Sequence, residues 1–470
     1  MASHAPKDPL IVVIGATGTG KSKLAVQLAA RFNGEIVNGD AMQMYKGLPI
    51  ITNKMPEHER NGIPHHLLDF IGLDENPWTV NQFVKESSRI IDEIRSRGKL
   101  PIVVGGTHYY THALLFKDAT LAEGGAGSGL EKADIPGPNQ PCSILSKSTE
   151  EILAQLQEVD PEIARRWHPR DRRKIQRSLE IWLKTGRKAS DVYAEQQERR
   201  SGGHDGADLD SPQHADRNGL VADEHGFRYS TLLLWLEAED TALKERLNAR
   251  VESMVASGLV DEAASMAKLE ADLQRKGIPV DKSKGIWVSI GYKEMESWID
   301  CQQTSGVVSA ENSRILQAAI GSVKAGTRRY AKRQNRYIRI RLANALARTG
   351  KLDKLFLLDC SDLAQWDSAV QTPASKIVGC FLNGEEPPDP RSLSDLANRM
   401  LPLPDEHETQ PNRIARRCEI CDKTLMTEAE WNGHLVSRGH KNTVVARRKR
   451  DLTATETIRR DVTFAKSLEG

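Results

Sequence analysis

The sequence predicts an α/β protein with a parallel-sheet core, an inserted helical domain and a small C-terminal zinc finger. An apolar run at residues 10–14 leads into a glycine-rich octapeptide and then a helical pattern, the order of a strand, a phosphate-binding loop and a helix. Between residues 150 and 185, apolar residues recur at spacings of three and four, as in amphipathic helices. Two cysteines and two histidines near the C terminus have the spacing of zinc ligands.

Composition sets broad limits. With 470 residues and 39% hydrophobic content, the chain can bury the cores of roughly two or three domains. Its 66 basic and 64 acidic residues nearly cancel, so net charge indicates no partner. Six cysteines in so long a chain do not form a secreted disulfide framework, and no apolar run approaches the roughly 20 residues that span a bilayer. We expect a monomer without membrane contact in the cytoplasm, with the nucleus or mitochondrion as alternatives.

Shifts in composition mark the domain boundaries. Two stretches rich in Gly, Ser, Asp and Pro, at 119–148 and 199–226, predict mobile surface loops around the helical segment. We place the first part of the α/β core at 8–118, the helical insert at 119–226, the second part of the core at 227–382, a linker at 383–411, the zinc finger at 412–450 and a C-terminal tail at 451–470.

The octapeptide GATGTGKS predicts a P-loop NTPase-like core that holds a diphosphate or triphosphate. Its glycines let successive backbone N–H groups point inward, its lysine reaches the phosphates, and its serine hydroxyl can bind Mg²⁺. The following helix adds its positive N-terminal end. The predicted diphosphate-binding residues are Gly15, Ala16, Thr17, Gly18, Thr19, Gly20, Lys21 and Ser22, with Ser22 as the magnesium ligand.

The residues that follow two predicted strands indicate which reaction the phosphate-binding loop takes part in. The apolar run 101–104 ends in GGTHYY and lacks the acid that ATP-hydrolysing relatives use for Mg²⁺. The run 34–37 is followed by Asp40, at the end of a strand where open α/β sheets place their active sites. A carboxylate there is suited to accept a proton from an attacking nucleophile. The alternative for Asp40 is a helix N-cap.

Nine segments occur in this order along the chain: GATGTGKS, NGDAMQMYKGL, ITNK, GIPHHLLD, VVGGTHYY, HPRDRRKIQRSLE, RVESMVASGLVDE, SIGYKE and RRYAKRQNRYIR. Together they resemble the tRNA dimethylallyltransferases (isopentenyl-tRNA transferases), of the eukaryotic type that carries a C-terminal Cys₂His₂ finger. The resemblance implies transfer of a dimethylallyl group from dimethylallyl diphosphate to N6 of the adenosine beside the anticodon of tRNA, position 37. Pyrophosphate leaves, and ATP is not hydrolysed.

The resemblance also implies roles for three catalytic residues. Asp40 would act as the base that helps the poorly nucleophilic adenine N6. Thr17 would touch the reacting oxygen of the diphosphate, and Arg250 would be the cation facing it. Taken without the resemblance, Arg250 is better interpreted as a surface helix arginine.

Two basic clusters predict contact with the tRNA anticodon stem-loop. Residues 165–188 hold ten Lys or Arg against two acids, and residues 324–341 hold eight with no acid. Solvated helix faces are the alternative, but interleaved Trp167, Trp182, Tyr330 and Tyr337 suit stacking on a nucleic acid. The tRNA-binding residues that the resemblance implies are Asp40, Ala41, Met42, Gln43, Thr107, Arg173, Lys174, Ile175, Gln176 and Arg177.

The C-terminal segment predicts a zinc site independently of the resemblance. Cys418 and Cys421 are separated by two residues, twelve residues follow, and His434 and His440 are separated by five. This Cys₂His₂ spacing suits one tetrahedral Zn²⁺, which would supply the folding energy of so short a module. Residues 411–450 hold ten basic and four acidic side chains, so the finger suits RNA phosphate. A protein-binding or stabilising finger is the alternative.

Two other functions compete with the transferase. A P-loop nucleoside or nucleotide kinase would use Asp40 to deprotonate a hydroxyl and ATP as donor, but it does not explain the missing strand-end acid or the basic clusters. A non-enzymatic zinc-finger protein with a vestigial loop would show damage to the loop or to Asp40, and both are intact. ATP turnover with small acceptors would support the kinase.

Overall fold

The computed structural model describes residues 5–116, 143–201, 227–305, 310–401 and 415–447. These residues form two compact units, one containing 5–116, 227–305 and 310–401, the other 143–201 and 415–447. Most of the glycine-rich stretches at 119–148 and 199–226, part of the linker and the whole tail at 451–470 lie outside the described residues. The domain boundaries therefore stay predictions.

A six-stranded parallel sheet forms the core of the first unit, in the order β3-β2-β4-β1-β5-β6. Helices cover both faces, which explains why the strands are continuous apolar runs and not alternating ones. The predicted α/β parallel-sheet core is confirmed. The strands are β1 Pro9–Gly15, β2 Gly34–Asn38, β3 His65–His66, β4 Leu100–Val104, β5 Ser230–Glu237 and β6 Leu355–Asp359.

The helices and the finger's two short strands complete the described elements. Across the described residues, no helix combines the length and apolar content needed to cross a membrane. In chain order the helices are α1 Lys21–Arg31, α2 Val80–Ser96, α3 His108–Leu115, α4 Thr149–Val159, α5 Pro161–Arg166, α6 Arg172–Thr185, α7 Ala189–Ser201, α8 Asp240–Ala256, α9 Leu259–Arg275, α10 Tyr292–Ser305, α11 Ala310–Tyr337, α12 Ala343–Arg348, α13 Thr372–Asn383, α14 Asp395–Met400 and α15 Glu428–Val436. The finger strands are β7 Arg416–Cys418 and β8 Lys423–Leu425.

The chain leaves and re-enters the core at one place. Phe116 and Phe227 form an antiparallel bridge, and their ring centroids lie 4.9 Å apart. The Arg228 N–H also donates to the Leu115 carbonyl at 2.9 Å. The helical segment between them is therefore an insertion that does not interrupt the sheet.

The second unit contains the helical segment and the finger. A capping box in which Ser148 and Glu151 bond each other's backbone amides starts α4. The buried Asp160 carboxylate accepts from the Ile163 amide at 3.2 Å and from the Ser190 amide at 2.8 Å, and so joins α5 to α7. The structure differs from the predicted loop 119–148 at its C-terminal edge. There, Ser143–Ser146 form a 3₁₀ turn just before the capped start of α4.

Candidate active site and metal site

The phosphate loop connects β1 to α1 at the carboxyl edge of the sheet. Gly15 has a φ of 144°, and a β carbon there would lie 2.3 Å from the Leu236 carbonyl oxygen, so only glycine fits. The Lys21 ammonium donates to the Ala16 carbonyl at 2.7 Å. Desolvation lowers the pKa of Lys21 to about 8, with the Arg250 charge acting in the same direction. Ser22 is partly buried in the first turn of α1.

Asp40 follows β2 and lies close enough to Lys21 for their charges to interact. Its Oδ1 accepts from the Met42 amide at 3.0 Å, and its own amide donates to the Asn38 side-chain oxygen at 3.0 Å. Desolvation raises the pKa of Asp40, while the Met42 hydrogen bond and the Lys21 charge oppose the rise. Through the Met42 amide, Asp40 therefore supports the short 3₁₀ turn that follows it, a role related to the helix-cap alternative. It also presents a carboxylate beside the phosphate loop.

Contacts on both sides fix the loop that carries Asp40. The Ala41 amide donates to the Thr107 hydroxyl at 3.0 Å. The Gln43 side chain donates to the Asn53 carbonyl at 3.0 Å. The buried Lys54 ammonium donates to Asp69 at 2.5 Å and to two backbone carbonyls of the loop. These contacts hold the predicted residues of this loop in place.

Arg250 comes from α8 and reaches the phosphate loop. Its Nη1 donates to the Thr17 hydroxyl at 2.7 Å. Desolvation lowers the pKa of the guanidinium, which does not fit a surface helix arginine. The structure therefore brings Thr17 and Arg250 together with Lys21.

Gln334, on α11, is a residue of this site that the sequence reasoning missed. Its Oε1 accepts from the Thr17 amide at 2.8 Å, and its Nε2 donates to the Gly106 carbonyl at 2.8 Å. Only 4% of its surface is exposed. The available signal was an uncharged amide inside a stretch of eight basic residues and no acid.

Two further buried groups near the loop were also missed. Glu237 ends β5, and its Oε1 accepts from the Asn335 amide group at 2.7 Å. Burial raises the pKa of Glu237 to about 7. His108 begins α3 at 3% exposure, where burial and the Lys21 charge lower its pKa to about 3. The signal for Glu237 was an acid at the end of an apolar strand.

The basic residues of α6 lie in the second unit. Arg173, Lys174 and Arg177 are exposed there, whereas Ile175 is fully buried. Any contact with an RNA from this stretch therefore falls to the exposed neighbours of Ile175. Trp167 donates from its Nε1 to the Ser178 hydroxyl at 2.9 Å, and the Lys174 ammonium lies 5.3 Å from the centroid of its ring.

On α11, in the first unit, the predicted basic cluster is largely exposed while its tyrosines turn toward the core. The Tyr330 hydroxyl donates to the Gly106 carbonyl at 3.5 Å, and Tyr337 contacts the His112 ring. The exposed cations are Arg329, Lys332, Arg333 and Arg336 on α11, and Arg339 and Arg341 just after it.

Four predicted metal ligands converge in the finger. The sulfur and ring-nitrogen atoms of Cys418, Cys421, His434 and His440 all lie within 4.8 Å of one another. His440 Nδ1 is 3.1 Å from His434 Nε2 and 3.4 Å from Cys421 Sγ. Tetrahedral Zn²⁺ with Zn–N near 2.0 Å and Zn–S near 2.3 Å would separate its ligands by about 3.3–3.8 Å. The donor set and its spacing therefore suit zinc.

Comparison with known proteins agrees with this geometry. A family model described as IPP transferase matches residues 43–341. The tRNA dimethylallyltransferase of Schizosaccharomyces pombe is 36% identical over 94% of this chain and 96% of its own length. The tRNA dimethylallyltransferase of Homo sapiens is 33% identical over 96% of this chain and 89% of its own.

A solved structure extends the likeness to three dimensions. It is described as crystallographic snapshots of a eukaryotic dimethylallyltransferase acting on tRNA, and it aligns with a TM-score of 0.70 and 30% identity. The alignment covers 96% of this chain and 100% of that one. With a family match over more than half its length and relatives that align almost end to end, this chain belongs to the IPP transferase family.

Proposed function

We propose that this protein transfers the dimethylallyl group of dimethylallyl diphosphate to N6 of the adenosine at position 37 of tRNA, beside the anticodon, and releases pyrophosphate. One observation carries the proposal. The Asp40 carboxylate lies beside the phosphate-loop lysine, Lys21, at the carboxyl edge of the sheet, so a base and a diphosphate site share one location. The named relatives, which are tRNA dimethylallyltransferases, support the same reaction.

The phosphate loop would hold the diphosphate of the donor. Loop amides, Lys21 and Arg250 supply positive charge where the leaving pyrophosphate develops its own negative charge. Thr17, held by Arg250 at 2.7 Å, would contact the oxygen whose bond to carbon breaks. In the proposed reaction the bond between carbon and oxygen breaks and phosphorus is not attacked, in contrast to a kinase.

The partly buried Ser22 hydroxyl fits the Mg²⁺ that accompanies a diphosphate. Mg²⁺ prefers oxygen and is usually bound by few protein ligands together with phosphates and water. When bound, the ion would neutralise charge on the diphosphate.

Asp40 would act as the base. As the adenine N6 forms a bond to C1 of the dimethylallyl group, the C–O bond to pyrophosphate breaks and N6 loses a proton to Asp40. Desolvation raises the pKa of Asp40, which makes its carboxylate a stronger base, and the neighbouring Lys21 charge opposes this rise.

The tRNA must present its adenosine outside the base stack, because a stacked base cannot reach a pocket at a sheet edge. Asp40, Ala41, Met42, Gln43 and Thr107 would contact the extruded nucleotide and its neighbours. In the second unit, Arg173, Lys174, Gln176 and Arg177 would bind the backbone of the anticodon stem-loop, with Ile175 supporting them from the helix interior.

The finger would bind one structural Zn²⁺ and add positive charge for RNA. Metal ligation would supply the folding free energy that so small a module lacks. No protein partner is needed for this function, and we propose that the enzyme is a cytoplasmic monomer.

Mass spectrometry of the tRNA product tests the reaction. Purified protein is incubated with Mg²⁺, dimethylallyl diphosphate and undermodified tRNA, and the nucleosides are searched for N6-dimethylallyl adenosine. Product from the wild type and almost none from Asp40→Ala would support both the reaction and the base. A folded, zinc-loaded wild type that forms no product on any tRNA, but turns over ATP with small acceptors, would favour the kinase instead.

A further inference from the structure

We propose that Gln334 is a positioning residue whose side-chain amide fixes the distance between the phosphate loop and the strand-end peptide beside Asp40. This inference rests on the transferase function proposed above. Gln334 touches neither reacting atom in the proposed chemistry, so it acts through Thr17 and Gly106.

The first contact of Gln334 is with the phosphate loop. Its Oε1 accepts the Thr17 N–H at 2.8 Å, while the Thr17 hydroxyl accepts from Arg250 at 2.7 Å. The backbone amide of Thr17 is thereby bonded to α11, and its side-chain hydroxyl is bonded to α8. Because the Thr17 N–H donates to Gln334, it does not point toward a phosphate. This contact therefore orients the loop and does not bind the donor.

The second contact is with the peptide beside the base. Gln334 Nε2 donates to the Gly106 carbonyl at 2.8 Å, and the amide of the same Gly106 hydrogen-bonds the Asp40 carboxylate. A β carbon at Gly106 would lie 2.6 Å from Gln334 Nε2 and 2.8 Å from Asp40 Oδ2. Gly106 is therefore held between the two side chains, and a β carbon there would displace the polar end of one or both.

Only a carboxamide of this length satisfies both contacts. Thr17 needs an acceptor and Gly106 a donor, and Gln presents one of each on a single planar group. Gln334 is 4% exposed within a helix whose neighbouring Lys332, Arg333 and Arg336 are exposed. Because Gln334 is buried, it belongs to the interior of the site and not to the exposed basic surface of α11.

Holding a leaving group and a base at a fixed separation matters because misplacement of about 1 Å can lower a rate roughly 100-fold. Gln334 lies on a 28-residue helix. Its two hydrogen bonds therefore attach the phosphate loop and the peptide beside Asp40 to the same rigid element.

The test compares three variants with the wild type. Gln334→Met keeps the length and apolar stem but removes both hydrogen bonds, and Gln334→Asn keeps the amide on a shorter stem. Gln317→Met is the matched control, because it makes the same change at an exposed position of α11. Single-turnover rate, KM for tRNA, pyrophosphate affinity with Mg²⁺ and thermal unfolding are measured for each.

We expect Gln334→Met to lower the single-turnover rate about 10- to 100-fold while KM for tRNA and pyrophosphate affinity change less than about threefold. Gln334→Asn should fall between it and the wild type, and Gln317→Met should match the wild type. A second readout is the pH profile. Loss of the anchor on Gly106 weakens the Gly106 hydrogen bond that lowers the pKa of Asp40, so the acid limb of the rate should move to higher pH.

The outcomes separate the two proposals. A wild-type enzyme that makes no product overturns the transferase function and this inference with it. An active wild type, together with Gln334 variants that keep the wild-type rate and pH profile, overturns the inference alone. If Gln334→Met does not fold, Gln334→Asn decides, because an unchanged rate in the shorter amide would equally contradict the role.

Discussion

The Arg250 guanidinium donates to the Thr17 hydroxyl at 2.7 Å across 233 positions of sequence. This hydrogen bond places the cation at the phosphate loop. Preorganised charge of this kind needs no rearrangement during the reaction, and for that reason it stabilises a transition state more effectively than a mobile side chain would.

Replacing Arg250 by Lys should lower the rate of transfer. Lysine keeps the positive charge but lacks the planar fork that can bond Thr17 and a departing diphosphate together. The loss of one charge-assisted hydrogen bond, about 1.5–3 kcal/mol, corresponds to roughly a 10- to 100-fold decrease in kcat. Single-turnover kinetics check this, with Lys244→Arg, on the exposed side of α8, as the control. An unchanged rate would remove Arg250 from the leaving-group site.

The Asp40→Asn variant should separate binding from chemistry. The amide oxygen can still accept from the Met42 amide, as Oδ1 does at 3.0 Å, so the turn after Asp40 keeps this contact, although the Gly106 amide loses its charged carboxylate acceptor. Loss of the base should lower the single-turnover rate about 10²- to 10⁴-fold with little change in tRNA affinity. Asp353→Asn, at an exposed position before β6, is the control. Comparable activity in both variants would show that the proton goes elsewhere.

Lys21 should take up a proton when a diphosphate binds near pH 8. Burial lowers its pKa to about 8 in the free protein, so part of the population is neutral at that pH. A bound anion favours the charged form, and protons must therefore enter with it. Calorimetry of pyrophosphate binding in buffers of different ionisation enthalpy measures this uptake. Lys21→Arg, which is always charged, should show less of it, and equal uptake in both proteins would contradict the assignment.

Glu237 should make stability fall with rising pH. Its pKa is raised by burial from 4.5 to about 7, so the folded state keeps a proton that the unfolded state loses as pH rises from about 4.5 to 7. The resulting loss of unfolding free energy is about 3 kcal/mol above that range and absent below it. Glu237→Gln should therefore stabilise the protein at pH 8 but not at pH 4.5.

Urea unfolding at the two pH values measures the effect. Glu245→Gln, on the exposed surface of α8, should change stability little at either pH. Equal stabilisation by Glu237→Gln at both pH values would mean that the carboxyl does not titrate as described.

Metal binding to the finger can be followed with Co²⁺ as a spectroscopic substitute for zinc. Tetrahedral ligation by two sulfurs and two nitrogens should give visible absorption that Cys421→Ser weakens strongly. Cys380→Ser, a partly buried cysteine of α13 outside the cluster, should keep the spectrum. Chelation should lower tRNA affinity and leave pyrophosphate affinity unchanged, and the reverse pattern would contradict an RNA-binding finger.

The parts of the site that are local in sequence were predictable. The phosphate loop and the zinc ligands follow fixed spacings, so their residues could be named before the fold was known. Gln334 could not be found in this way, because its partner Thr17 lies 317 positions away and the contact exists only once α11 packs on the sheet. Glu237 was not predicted because the sequence does not show which strands lie beside β1. The acid lies at the end of β5, on the opposite side of β1 from β4.

The strand order also constrains how the protein is made. β1 is synthesised first, yet its neighbours in the sheet are β4 and β5, and β5 emerges only after roughly two hundred further residues, or about 10–40 s at typical translation rates. Until then an apolar strand lacks one of its partners and can pair wrongly. The nascent chain should therefore depend on chaperones more than its stability would suggest, and mutations in β5 should reduce yield before they reduce activity.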